Sequence, residues 1–279
     1  MTEAQSGAAD HPTKAPPSGA VHHLINLRRV ARASIDHIVG GIYRISLWSP
    51  PAGLTFNQFL IDDEAPTLVH TGRYDYEAVA AAIGEVLDPA RLANIVLLHW
   101  EGDENGGMDR LMSRARDSEL VGSELSIALN ARGFGLHTRT RGFRDGDTLE
   151  LGAHKLRFME TPHVHHWDSM MVVEETTASV FPSDLYLQPG EQPAVTDENL
   201  ADDMLRAYRT FGIFAHEDPV RAVVRRIEKL KPAWVHAMHG ATIAGRALPH
   251  YTKALLEQRF AYRGGFFGRS IPAEPGPVG

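Results

Sequence analysis

The chain has 279 residues, no cysteine and fifteen histidines, and 28 basic against 35 acidic side chains give it a formal charge of −7. Without cysteine there is no disulfide, thiolate zinc site, iron–sulfur cluster or cysteine nucleophile, and the acidic balance argues against nucleic acid or an anionic membrane as the main partner. A composition of 43% hydrophobic and 23% charged residues is that of a soluble globular protein; there is no apolar run near the roughly 18 residues of a membrane span and no secretory h-region, so the expected location is the cytoplasm.

Residues 1–33 are rich in Ala, Pro, Ser and Gly and read as a disordered leader, with a short ordered arm near Leu24–Val30. A folded stretch over residues 34–262 follows, and 263–279, with Gly264, Gly265, Pro272, Pro275 and Pro277, reads as a loose tail. Within the folded stretch, Ile42–Leu47, Thr55–Ile61 and Pro66–His70 are short strands separated by turn residues. Tyr76–Leu87 has the period of a helix, with Val79, Ile83 and Leu87 on one face. Ile95–Leu98 is a continuous aliphatic run that suits a strand buried on both faces. The second half repeats the style with strands at Thr148–Leu151, Lys155–Glu160, Met170–Val173 and Ser179–Phe181. Leu200, Met204, Tyr208 and Phe211 then form one helical face, and Asp218 (as N-cap) with Pro219 starts a helix carrying Val220, Val224, Ile227 and Leu230. A strand at Trp234–His236 and a helix from Pro249 to Phe260 complete the pattern. Two halves of strands followed by helices predict an α/β fold, a four-layer αββα sandwich.

Chemistry-bearing residues concentrate where these strands end. His99, Glu101, Asp103 and Glu104 fall within six residues directly after the aliphatic run, in a Gly-rich segment, the place where α/β folds commonly build sites. His163, His165 and His166 precede Asp168-Ser169-Met170; Asp184 closes Ser179–Asp184; and His239-Gly240 follows the Trp234–His236 strand. Read singly, the first cluster is a solvated acidic loop, each histidine a surface or core residue, and Asp184 a turn or cap residue. Read jointly, one edge of the sandwich gathers His99, Glu101, Asp103, His165, Asp184 and His239, a set whose negative charge and mutual repulsion a metal offsets.

This order and spacing resemble the metallo-β-lactamase superfamily, and within it the diiron domain of the flavodiiron proteins. That family carries His-x-Glu-x-Asp-His, then a His before an Asp-Ser-Met stretch, an Asp further on and a final His-Gly. Here His99-x-Glu101-x-Asp103 fits, His165 stands three residues before Asp168, and Asp184 and His239-Gly240 follow in order. Thr55-Phe56-Asn57 is similar to the family's early Thr-Tyr-Asn segment. The resemblance implies a metallo-β-lactamase-like fold over about residues 38 to 262, with Asp184 bridging two metals, His99, Glu101 and His165 completing one ion, and Asp103 and His239 serving the other. Zinc hydrolases of the superfamily have His where Glu101 stands, and an anionic oxygen donor shifts preference toward iron or manganese.

Three departures accompany the fit. The family's histidine after the Asp is Glu104, which either ligates or points away. His70 stands where the superfamily usually shows an Asp, as a supporting neighbour of the site or a plain strand-end residue. The flavodoxin-like part of the flavodiiron proteins has no counterpart in this sequence, so no flavin is expected in this chain. His163 and His166 are candidates for orienting His165, gating the pocket or shuttling protons. The remaining histidines, among them His37, His154, His216 and His250, are expected to be exposed or capping.

The leading expectation is a non-haem diiron protein that binds dioxygen, or reduces dioxygen or nitric oxide with electrons from an external donor protein. It would be an oxidoreductase with two iron ions (alternatively zinc or manganese) and no catalytic residues beyond the ligands. A dinuclear zinc hydrolase of an ester, lactone or thioester is the first alternative, and an oxygen sensor without turnover the second. A homodimer is compatible with either.

Overall fold

The computed structural model describes residues 32–136 and 139–270. The expected leader lies outside the described residues apart from Arg32 and Ala33, and so does the arm near Leu24–Val30.

The first sheet opens with β1 (Ser34–Val39), β2 (Ile42–Ser49), β3 (Leu54–Ile61) and β4 (Thr67–Val69), an antiparallel run. After α1 (Tyr76–Ile83) come β5 (Asn94–Val96), α2 (Gly102–Asn105), α3 (Met108–Arg114), β6 (Glu119–Ser123), α4 (Glu124–Ser126, continued as a wider turn to Ala131) and β7 (Thr140–Phe143). From β4 onward the pairing is parallel, and the seven strands lie in chain order.

The second sheet holds β8 (Thr148–Glu150), β9 (Lys155–Glu160), β10 (Met170–Glu174), β11 (Ser179–Phe181), β12 (Val195–Thr196), β13 (Trp234–His236) and β14 (Thr242–Ala244), in the order β12-β14-β13-β11-β10-β9-β8. Between and after its strands run α5 (Ala201–Phe211), α6 (Glu217–Leu230) and α7 (Leu248–Glu257). Of the segment expected as a loose tail, β15 (Gly265–Phe266) and β16 (Arg269–Ser270) form a hairpin whose Gly268 N–H donates to the Thr210 carbonyl of α5; residues 271–279 lie outside the described residues.

Three cores define four layers. Alternate side chains of one strand go to opposite faces, and β5 with its extension shows why its run is aliphatic throughout: Ile95 and Leu97 pack outward with α1 and α3, while Val96 and Leu98 pack inward with Phe59, Phe158 and Phe181 between the sheets. The third core lies under α5, α6 and α7 around Tyr208, Phe214 and Tyr251. Three helices differ from the sequence reading, α7 by running from Leu248 to Glu257 instead of Pro249 to Phe260. α1 stops at Ile83, because Gly84 leads into a turn, and α6 is capped by His216, whose Nδ1 accepts from the Asp218 N–H, instead of by Asp218. Among the described residues, no helix is long and apolar enough to cross a membrane.

Candidate metal centre

Five strand ends converge on one edge where the sheets meet. His70 follows β4, His99 the extension of β5, His165 the loop after β9, Asp184 the loop after β11, and His239 the loop after β13. Two backbone bonds tie the sheets there: Met170 N–H to the Leu98 carbonyl, and Asn57 N–H to the Met238 carbonyl. The glycines beside the ligands are there for space. A Cβ at Gly107 would come within 2.7 Å of the Thr71 carbonyl, and one at Gly240, where φ is +105°, within 2.7 Å of the Gln188 side chain. The Gly-Gly and His-Gly pairs thus let backbones approach behind the candidate ligands.

Two donor groups share Asp184. On its Oδ2 side, His165 Nε2 lies at 2.5 Å and His99 Nε2 at 3.7 Å, and Glu101 Oε2 lies 3.0 Å from His99 Nε2 and 3.2 Å from His165 Nε2. One donor atom from each of His99, Glu101, His165 and Asp184 falls within 4.8 Å of the others. On the Oδ1 side, His239 Nε2 lies 3.2 Å away, and Asp103 Oδ2 is 3.6 Å from the same nitrogen.

The rings are held in the tautomer that leaves Nε2 able to ligate. The Ser183 hydroxyl donates to Glu104 Oε1 at 2.7 Å, so it accepts from His99 Nδ1 at 2.8 Å, and that nitrogen carries the proton. His239 Nδ1 faces the Thr55 carbonyl at 2.8 Å, which can only accept. Ser183 (φ +55°) and His70 (φ +63°) both adopt the left-handed region, a strained choice for a non-glycine residue that clusters at functional positions.

Electrostatics follow from crowding. Burial opposes charge on Asp184, yet the hydrogen bond from His165 and the nearby His239 ring hold its carboxyl well below the usual range. Hydrogen bonds from His165 and His99 likewise bring Glu101 down to about 2. Burial and the Asp184 charge push Asp103 up, and burial pushes Glu104 well up. Burial works against the imidazolium of His165 and His239, but Asp184 outweighs it and raises them to about 11 and about 9. Burial takes His70 down to about 4. The carboxylates therefore draw positive charge onto this edge.

The residues fit a pair of metal ions. Asp103 Oδ1, Asp184 Oδ1 and Glu104 Oε2 are buried without a hydrogen-bond partner, as are both ring nitrogens of His70. An unsatisfied buried polar group costs about 1–3 kcal/mol, more when charged, and divalent ions among these oxygens and nitrogens remove that cost. The mixed oxygen and imidazole donor set suits iron or manganese.

Of the residues singled out from the sequence, the structure brings together His99, Glu101, His165 and Asp184 most tightly, and Asp103 and His239 through Asp184. Glu104, fully buried, turns to the Nδ1 side of His99, 3.1 Å from that nitrogen, and away from Nε2. His70 Nδ1 lies 3.1 Å from Glu104 Oε2. His166 hydrogen-bonds Asp168 and stacks on His99 with ring centroids 5.5 Å apart; Asp168 raises its ring above the ordinary value. His163 is exposed. Sequence reasoning missed Ser183 and the Thr55 carbonyl; Ser183 stands beside Asp184, and its adjacency was the only available signal. His154, expected to be exposed or capping, is not exposed: it is buried and paired with Asp63 at 2.8 Å, where it closes the turn before β9.

Comparison with known proteins agrees with this architecture. The putative diflavin flavoprotein A 1 of Nostoc is 24% identical over 192 residues, covering 67% of this chain and 33% of that protein. The rubredoxin-oxygen oxidoreductase of Megalodesulfovibrio gigas is 29% identical over 148 residues, covering 48% of this chain and 35% of its own length. The chain thus spans about a third of these curated relatives. Among solved structures, rubredoxin oxygen:oxidoreductase from Desulfovibrio gigas superposes with a TM-score of 0.72 at 20% identity, covering 80% of this chain and 61% of that one. The flavodiiron protein from Giardia intestinalis gives 0.68 at 16% identity, covering 80% and 59%. These two likenesses show the metallo-β-lactamase-like fold. The model of the ODP family beta lactamase matches residues 54–240, strand β3 through His239-Gly240, and the chain belongs to that family.

Proposed function

We propose that this chain is a non-haem diiron protein that binds dioxygen and reduces it, or nitric oxide, with electrons from a separate donor protein. The observation that carries the reading is the division of Asp184, whose two oxygens face different donor sets: His99, Glu101 and His165 on one side, His239 and Asp103 on the other. Relatives named for oxygen and nitric oxide reduction, at 29% and 27% identity, support the reaction class. Glu101 supplies an oxygen where the zinc hydrolases of the superfamily have nitrogen, which favours iron over a hydrolytic zinc pair.

Two irons in this set would supply reversible one-electron chemistry and open positions for a diatomic ligand. The chain's own residues do the rest. Ser183 and the Thr55 carbonyl fix two rings so that Nε2 faces inward. Phe214, edge-on to His165 with centroids 6.2 Å apart, and Phe56, 4.9 Å from the His239 ring, wall off water. Half-buried His166, its Nδ1 tied to Asp168, holds a proton at the rim beside His99. These 279 residues contain no cysteine, so they hold no thiol or iron–sulfur relay for incoming electrons.

Elemental analysis of protein produced with iron tests the reading. Close to two irons per chain are expected, with a change in the visible spectrum when the anaerobically reduced protein meets dioxygen, and oxygen consumption once a flavoprotein donor is supplied. Protein that holds only zinc and leaves dioxygen untouched overturns it, and turnover of an ester, lactone or thioester by that zinc form would establish the hydrolase in its place.

A further inference from the structure

The two positions at which this chain departs most from the flavodiiron pattern touch each other. His70 stands where the superfamily usually shows an acid, Glu104 where the family shows a histidine, and His70 Nδ1 lies 3.1 Å from Glu104 Oε2. Acid and imidazole have changed places across one contact.

Glu104 is committed behind the centre. Its Oε1 accepts from Ser183 and its Oε2 sits at Nδ1 of His99, the face of that ring opposite the ligating Nε2. The backbone locks it there, because the Thr71 N–H and hydroxyl both bond to the Glu104 carbonyl at 2.6 and 2.8 Å. His70 is the neighbour of that same Thr71. It is 1% exposed and held in the left-handed region while its N–H pairs with the Val96 carbonyl; its Nε2 has no partner, and its Nδ1 has the 3.1 Å approach to Glu104 Oε2, outside hydrogen-bond geometry. The charges of Asp184, Asp103 and His239 act on its ring. The buried oxygens without a donor, Asp103 Oδ1 and Asp184 Oδ1, belong to that same set. With Asp103, Asp184 and His239 alone, the second ion would have three protein donors where the first has four.

We propose that His70 supplies the missing imidazole to the second ion through Nε2, and that Glu104 serves as the carboxylate that holds the His70 ring at Nδ1. A ligating histidine whose other nitrogen faces a carboxylate is the usual arrangement at metal sites. The exchange thus keeps one imidazole on the ion while moving it from the segment after β5 to the end of β4. The inference rests on the dinuclear reading above and deepens it.

Cobalt(II) titration of the full-length apoprotein, followed by visible absorption and checked by elemental analysis, provides the test. The wild-type chain should take two ions. His70→Phe should take one, at an affinity for that ion within a few fold of wild type, and the retained ion shows that the fold stands. Glu104→Gln should still take two, the second bound about 10–100-fold more weakly. His70→Gln guards against a packing defect in the aromatic variant and should also weaken only the second ion. Two ions bound with wild-type affinity in both His70 variants overturn the proposal, as does loss of the second ion in Glu104→Ala beside its retention in His70→Phe. A wild-type chain that takes a single ion overturns the dinuclear reading itself, before any substitution is made.

Discussion

Ser183 carries more of the centre than its size suggests. One hydroxyl accepts from His99 Nδ1 and donates to Glu104 Oε1, so it fixes the His99 ring and partners a fully buried carboxylate at once. Ser183→Ala leaves both without that bond. It should cost about 1–3 kcal/mol of unfolding free energy in denaturant titration, and loosen the His99-side ion about 10–100-fold in a competition with a metal chelator. An unchanged chelator curve would assign His99's orientation to packing alone. At this scale the order of residues in the sequence was legible: His165, three residues before Asp168, is the histidine of its cluster that the structure sets beside Asp184. Orientation was not legible. That Glu104 turns behind His99 follows from the Ser183 hydroxyl and the Thr71 tether, contacts between residues 79 and 33 positions apart that no local pattern records.

Strands and long helices stood out where apolar periodicity is strong, as in α5, α6 and the β5 run. The segment from His99 to Gly107 did not, because its glycines and acids read as a loop, whereas the structure forms α2 there and α3, for which the sequence offered no reading, directly after it. Packing of Met108 and Leu111 into the core beneath the first sheet overrides the weak local preference. β6, α4 and β7 were missed for a related reason: their burial is set by the neighbouring parallel strands. β13 carries a testable feature. His236 is buried between Phe59 and Phe181, bonded to Ser179 and Thr242 hydroxyls, and burial lowers its ring from 6.5 to about 3. The folded state therefore resists a proton that the unfolded chain accepts. The stability this gives is fully present above pH 6.5 and declines as the pH falls from there toward 3. His236→Gln should flatten the dependence of unfolding free energy on pH across that window, and an equally steep curve in the variant would remove His236 as its source.

Across the whole molecule, the alternation of strands and helices in two halves was enough to give the sandwich, since each half must cover its sheet on one face. How the halves are held in register was not visible, because the joints are single residues. Asn57 of β3 is the clearest: its amide donates to the Ala237 and Gly240 carbonyls at 2.9 and 2.7 Å, and its oxygen accepts from Arg44. Those carbonyls flank the segment that presents His239. Asn57→Ala should lower stability by about 1–3 kcal/mol through the buried groups left unsatisfied, measured by thermal or denaturant unfolding. It should also release the His239-side ion to a chelator ahead of the other. Simultaneous release of both ions at wild-type rates would show that the sheets hold His239 without Asn57.

The division of Asp184 has a thermodynamic consequence. One carboxylate facing two donor sets makes their occupancies a linked pair of equilibria. An ion on the His165 side would draw charge from the oxygen that the His239 side needs, and at the same time would fix its direction. Whatever factor the first ion imposes on the affinity of the second, the second imposes on the first by the same amount. If the proposed pair of ions binds, the isotherm would be described by two intrinsic constants and one coupling constant, and the sign of that coupling would report whether charge or orientation dominates at the shared residue.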